Sequence, residues 1–261
     1  MPQGELPGSQ ATIASRIIAI LSDSNPEAEV LEVRIGLGYT AVRLTDNRLG
    51  VAFTFHKEAL GGCSVFHGLR PLSGRKACEL VALLDSTDPI EAGVGLACVN
   101  ALVNQPTKEF LEGDILDQLL LKPQDQVGMV GYFGPLVEPL RKRVGSLTVF
   151  ERIKEPNGFL RPVDEANELL PECQVALITA TSIINHSIDD LLKVCRNCRE
   201  VAILGASAPL LPKVFEDTPV SFLSGVVVTN PAKILQIVSE GGGMRFFKPH
   251  INKVNLNLLN N

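Results

Sequence analysis

Residues 11–22 carry apolar side chains at helical spacing, and Asn25-Pro26 stops the run because a residue before proline avoids the helical region. Residues 30–37 and 39–44 alternate and are rich in Val, Leu and Ile, with Gly36 and Gly38 near the bend between them. Thr45-Asp46-Asn47-Arg48 supplies turn chemistry ahead of a third strand at 49–55. Connections this short require antiparallel pairing, since a parallel neighbour needs a long crossover. Two helices follow. Ser73 is placed to cap the first, which reaches about Asp85. Asp88-Pro89-Ile90-Glu91 reads as a capping box with proline at the first helical position, opening a second helix to about Asn104. Its small residues Ala92, Gly93, Gly95, Ala97 and Ala101 predict close packing on the meander. Residues 1–105 are expected to form an α+β module.

After Pro106 the pattern changes. Asp114 is placed to cap a short helix ending at Lys122-Pro123. Short apolar strands at 126–130, 146–151, 174–180, 200–205 and 221–229 then alternate with helical stretches at 135–143, 163–170, 187–198 and 231–239. That alternation predicts a parallel sheet with right-handed crossovers, a Rossmann-like α/β domain over 106–261.

Composition narrows the partners. The 24 Lys and Arg against 29 Asp and Glu give a net charge of -5, which argues against nucleic acid. Trp is absent and Tyr occurs twice, so stacking platforms for single strands are poorly supplied. Arg16 breaks the best apolar run well short of the ~18 residues of a membrane span. The first ten residues are polar without a cationic start, so no cleavable signal peptide is expected. The cysteines, at 63, 78, 98, 173, 195 and 198, scatter as reduced thiols do, and a cytoplasmic protein is expected. Self-association into a homo-oligomer is compatible with the sequence and not fixed by it.

In an open α/β sheet, ligands bind outside the C-terminal ends of the strands, so the loops there are where a site is expected. The first runs Gly128-Met129-Val130-Gly131-Tyr132-Phe133-Gly134-Pro135. Glycines let backbone N–H groups approach a ligand, which makes Gly131, Phe133 and Gly134 candidate contacts. Glu151, twenty residues after Gly131, is placed to bond a ribose-like diol. The spacing is G-x-x-G-x-x-G, with Val130 where the dinucleotide fingerprint wants glycine, and a tight strand-to-helix turn explains the same residues.

The loop from Thr179 to Ser187 is dense in hydroxyls and amides. Ser187 is placed to cap the next helix, but capping leaves Thr181, Asn185 and His186 unexplained, and buried strands rarely end in so many unpartnered polar groups. The fourth strand ends in Gly205-Ala206-Ser207-Ala208-Pro209. These loops predict a small-molecule pocket, with Thr181, Asn185, Gly205 and Ser207 among its contacts. Gly241-Gly242-Gly243, followed by Arg245 and Lys248, suggests a strip around Gly242 that closes over an anionic ligand; a helix stop leading into another strand is the alternative. The bend at Gly36-Leu37-Gly38-Tyr39-Thr40 offers a phenol and a hydroxyl beside glycines that permit close backbone approach. Tyr39 and His186 are the candidate catalytic groups, His186 as the acid–base residue, though no nucleophile–base–orienter set can be assembled. Cys195-Arg196-Asn197-Cys198 has the spacing of a metal or redox pair but closes a helix and lacks a matching second pair, so two buried thiols are expected. His56 and His67, flanking Cys63, read as polar loop residues, and no metal ligand is assigned.

Several of these stretches together resemble the heavy-metal chelation domain family. They are residues 34–42, Asp88-Pro89-Ile90-Glu91-Ala92, Gly131-Tyr132-Phe133-Gly134-Pro135, Thr179-Ala180-Thr181, Asn185 and residues 205–209. The resemblance implies an enolase N-terminal-like module joined to a Rossmann-like domain, with a pocket between them. It also implies a role with pterin-, flavin- or siderophore-like compounds or with heavy metals. Ala206 and Ala208 depart from the family, which often has Pro and Thr there, so a hydroxyl at 208 is missing. Three functions compete. One is an enzyme acting on such a compound, with Tyr39 and Thr40 facing Thr181, Asn185 and Ser207. The second is a non-catalytic protein binding a metal or a metallophore. The third is a nucleotide-cofactor module of the S-adenosylmethionine type. The cofactor itself is unknown; the partner expected is a small molecule, a metal chelate included.

Overall fold

The computed structural model describes residues 11–24, 27–59 and 70–259. Helix α1 (Ile13–Ser24) is followed by three strands, β1 (Val30–Ile35), β2 (Tyr39–Leu44) and β3 (Leu49–Phe53). They form an antiparallel sheet in the order β1-β2-β3, as the short turns require. Helices α2 (Ala77–Val81) and α3 (Pro89–Val103) come next.

Ser73 does not cap α2. Gly74 turns the chain at φ +80°, and the Arg75 carbonyl is taken by the Val30 N–H at 2.9 Å, so the helix starts after Lys76. There the Glu79 carboxylate accepts the Lys76 N–H at 3.2 Å. Asp88 does cap α3, accepting from the N–H groups of Ile90 at 2.7 Å and Glu91 at 3.4 Å. The reciprocal half of the box is absent because Glu91 takes the Ser86 hydroxyl at 2.6 Å. Helix α3 has no polar face and is buried at Ile90 and from Ala92 to Leu102, the pattern of a helix covered on nearly every side. Gly50 of β3 lets it lie close: a Cβ there would come 2.1 Å from the Ala101 nitrogen.

The remaining strands are β4 (Leu111–Glu112), β5 (Gln126–Val130), β6 (Ser146–Glu151), β7 (Leu160–Pro162), β8 (Val175–Thr179), β9 (Glu200–Leu204), β10 (Phe222–Val228) and β11 (Ile251–Asn257). Between them lie α4 (Gly134–Arg141), α5 (Ala166–Leu169), α6 (Thr181–Ile184), α7 (Ile188–Val194), α8 (Pro231–Ser239) and α9 (Met244–Phe247). The eight strands form one sheet in the order β4-β11-β10-β9-β8-β5-β6-β7. Strands β5 to β10 run parallel; the expected strands β5, β6, β8, β9 and β10 are joined by the unexpected short strand β7. The sheet is nonetheless mixed: β11 pairs antiparallel with β10, and β4 antiparallel with β11. The glycines after α8 lead into α9 and then β11, which lies between β10 and the edge strand β4.

One hydrophobic cluster runs through both sheets, joining Ile17, Val42 and Leu96 to Val130, Ile178 and Leu223. Two buried asparagines of the α3 end sew the same junction. Asn100 Nδ2 donates to the carbonyls of Val51 at 2.8 Å and Ser207 at 3.1 Å. Asn104 Nδ2 donates to Ala208 and Val226, and its Oδ1 accepts the Leu210 N–H at 2.8 Å.

Candidate functional site

Strand order reverses at β5 and β8, with β6 and β7 on one side and β9 to β11 on the other. Loops leaving such a pair diverge and open a crevice beyond the strand ends. A cavity of about 600 Å³ lies there. One wall comes from Tyr39 and residues 53–58, the others from the β5–α4 turn, the end of β6 and the start of α6. Both tyrosines and four of the eleven phenylalanines line it: Tyr39, Phe53 and Phe55 from the three-stranded side, Tyr132, Phe133 and Phe150 from the other.

Gly131 makes the β5–α4 turn possible. Its φ is +87°, and a Cβ there would sit 3.0 Å from that of Thr179. The turn delivers the Tyr132 N–H to Glu151 Oε2 at 3.0 Å, while Oε1 accepts the Arg152 N–H at 2.8 Å. Glu151 lines the cavity with both oxygens holding backbone. At the end of β8 the hydroxyls of Thr179 and Thr181 lie 3.0 Å apart. Whichever threonine donates, the other keeps a proton for a further acceptor. Asn185 also lines the cavity; its Oδ1 accepts from the N–H and hydroxyl of Ser187 at 3.2 and 2.8 Å.

Tyr39 begins β2 and packs its ring edge-on against Phe53 and Phe247, with centroids 6.1 and 5.1 Å away. The ring is half-buried among these aromatics and still lines the cavity. Burial pushes its phenol up to about 12, so it meets a ligand as a neutral group. Gly36 serves chain packing: a Cβ there would come 2.3 Å from the Val238 carbonyl of α8.

Other expected contacts lie elsewhere. Thr40 is buried, its hydroxyl 2.9 Å from that of Thr54. Ser207 is buried and accepts the Phe53 N–H at 2.9 Å. His186 is exposed, at φ +58°, with Nε2 2.9 Å from the Ser86 carbonyl, and is not in the cavity wall. The Gly242 N–H closes the end of α8 on the Ile237 carbonyl at 2.8 Å. Gly134 and Gly205 line a neighbouring cavity of about 520 Å³, which shares Tyr39, Tyr132 and Phe133 with the first.

The segment 53–58 is what local pattern missed. His56 lines the main cavity, although the sequence reads it as an ordinary loop residue. Glu58 pairs with Arg152 across the rim, and the Arg152 guanidinium stacks 5.0 Å from the Phe55 ring centroid. These partners are 94 and 97 residues apart in sequence, beyond any local signal. Cys63 and His67 lie outside the described residues. The other five cysteines are free, and Cys98, Cys173, Cys195 and Cys198 are buried. Among the described residues, no three His, Cys, Asp or Glu side chains gather as a metal site. Nor, among them, is any helix long and apolar enough to cross a membrane.

Residues 114–257 match a family model described as "Putative heavy-metal chelation", and residues 18–103 match a second with the same description. An uncharacterized protein of Methanocaldococcus jannaschii is 27% identical over 246 residues, 90% of this chain and 93% of that protein. A crystal structure of a protein of unknown function from Desulfitobacterium hafniense superposes with a TM-score of 0.80 at 25% identity, covering 94% of this chain and 96% of that one. Another, from Pyrococcus horikoshii, gives 0.83 at 23% identity, covering 94% and 100%.

Proposed function

The chain belongs to the heavy-metal chelation family, whose models match residues 18–103 and 114–257, and from that premise we propose that its cleft binds a flat organic molecule. The class is a pterin-, flavin- or siderophore-like compound, free or as its metal complex. The carrying observation is the concentration of both tyrosines and four phenylalanines around one cavity in a chain that is only 5% aromatic. Rings on opposing walls suit a planar π face, and the Thr179–Thr181 pair supplies the few polar contacts that fix orientation.

A metal held directly by side chains fits the described cleft poorly. Glu58 is paired with Arg152, and both Glu151 oxygens hold backbone N–H groups. Away from the cleft, burial pushes the Cys98 and Cys173 thiols up to about 12 and about 11, away from the thiolate a metal needs. A chelated metal, carried as cargo, brings its own donors. In this reading residues 1–105 are an enolase N-terminal-like module and 106–261 a Rossmann-like domain. The strand order from β7 through β10 supports the second label, matching that of doubly wound sheets. Among the described residues, His56 is the imidazole in the cavity wall.

Fluorescence titration with riboflavin and with pterin, and absorbance titration with ferric 2,3-dihydroxybenzoate, tests the proposal. At least one probe binds saturably, and Thr181→Val weakens it about 2–10-fold, the worth of one neutral hydrogen bond, with a melting temperature lowered by no more than about 1–6 °C for the lost Thr179–Thr181 bond. Failure of all three probes, or full affinity in Thr181→Val, refutes it.

A further inference from the structure

We infer that the second cavity, on the far side of Tyr39 and Phe133, is a binding site for a phosphate monoester group. It lies beside the end of β9 and along β10, with Gly134 and three cations, Arg245, Lys248 and Lys253, in its walls. The cations come from α9, the turn after it and β11, three elements that the fold brings to one recess, where all three side chains are exposed. Among the described residues none of the three is in an ion pair, whereas Arg48, Arg75, Arg152 and Arg199 each have an acidic partner. Asp114 also lines the wall, and its Oδ1 accepts the Leu116 N–H at 2.9 Å.

Three positive side chains against one negative leave this recess cationic in a chain whose net charge is -5. Like charges lining one recess repel, and an anion bound among them removes that cost. A phosphate monoester carries about -1.5 to -2 near pH 7 and so matches the surplus, where a single carboxylate would leave half of it. The Arg245 guanidinium fork suits phosphate oxygens, with the lysines as mobile point charges.

The recess stands on these observations alone. Its connection to function rests on the cleft proposal: Tyr39, Tyr132 and Phe133 line both cavities. A ring in the cleft and a phosphate arm in the recess then belong to one molecule, which makes the ligand a phosphorylated heterocycle.

Equilibrium dialysis of the full chain against radiolabelled orthophosphate tests the recess. One saturable site is expected, weakened about fivefold or more by Arg245→Gln and by Lys253→Gln and largely restored in Lys253→Arg. Lys213→Gln, on a remote exposed turn, leaves it unchanged. Absence of saturable binding, or an equal loss in Lys213→Gln, overturns the inference. Riboflavin against flavin mononucleotide then tests the single ligand. The phosphate should add about tenfold in the parent and nothing in the Arg245→Gln, Lys253→Gln double variant. Equal affinity for the two flavins in the parent refutes the link. Orthophosphate binding without binding of either flavin upholds the recess and removes the flavin-like reading of the cleft.

Discussion

Replacing Asn104 by alanine tests whether the junction behind the cleft is held by buried polar seams. The side chain is 3% exposed and serves three backbone groups: it accepts from Leu210 at 2.8 Å and donates to Ala208 at 3.0 Å and Val226 at 3.3 Å. Alanine strands the Leu210 N–H, and an unsatisfied buried donor costs about 1–3 kcal/mol. The two carbonyls have second lone pairs and lose less, about 0.5–1 kcal/mol each. The sum is about 3 kcal/mol, a large share of a typical stability of about 5–15 kcal/mol. At about 2–4 °C per kcal/mol for a chain of this size, the melting temperature should fall by about 6–12 °C. Calorimetry or circular dichroism on the full chain reads it. Gln105→Ala is the control, because that amide makes one local bond, to the Ala101 carbonyl at 2.9 Å, from a half-buried position. It should melt within about 2 °C of the parent, as surface changes usually do. Equal shifts in the two variants, or no shift in Asn104→Ala, would refute the seam.

Two further outcomes follow from charge and burial. The Asp125 carboxyl lies below its ordinary range because Arg199 bonds it at 3.1 and 2.6 Å and the Lys122 N–H adds a third bond. A depressed native pKa stabilises above the unfolded value, about 3.9, and that contribution is lost as pH falls through the native one. Asp125→Asn should therefore unfold at lower urea than the parent at pH 7, with the gap narrowing as pH falls below about 4; a gap that stays constant with pH would contradict the assignment. The Tyr39 phenol, pushed up to about 12 by burial, should show no phenolate at pH 10, where an ordinary tyrosine is about half ionised. The 295 nm difference between parent and Tyr39→Phe reads it directly, and half-ionisation at that pH would mean the ring is solvated.

Much of the fold was legible because its determinants are local. The turn at 45–48 forces the meander, closing with Leu44 N–H on the Arg48 carbonyl at 2.9 Å. Asp88-Pro89 starts α3 where it should, and apolar runs separated by helical stretches mark β5, β6, β8, β9 and β10. What escaped was short or lay outside the parallel run of strands. Strand β7 is three residues, Leu-Arg-Pro, and β4 is two, too short for periodicity to register. Strand β11 does carry an alternating stretch, Ile-Asn-Lys-Val-Asn-Leu-Asn, but its antiparallel pairing depends on where α9 returns the chain.

The site was legible only in part, for a reason visible in its polar residues. A hydroxyl, amide or imidazole at the end of a buried strand signals that something must satisfy it, without saying what. Ser207 and His186 sent that signal, and the groups that satisfy them are the Phe53 N–H and the Ser86 carbonyl, 154 and 100 residues away. Thr179 and Thr181 sent the same signal, yet their hydroxyls are bonded mainly to each other at the cavity wall, which leaves hydrogen-bonding capacity over. The polar loop residues thus divide by the destination of their hydrogen bonds. One set is spent on backbone across the junction and fixes where Phe53 and the β9 loop stand. The other is spent within the loop and stays available to a ligand. The division depends on chain segments meeting from far apart in sequence, which is why it belongs to the fold and could not be read from any one loop.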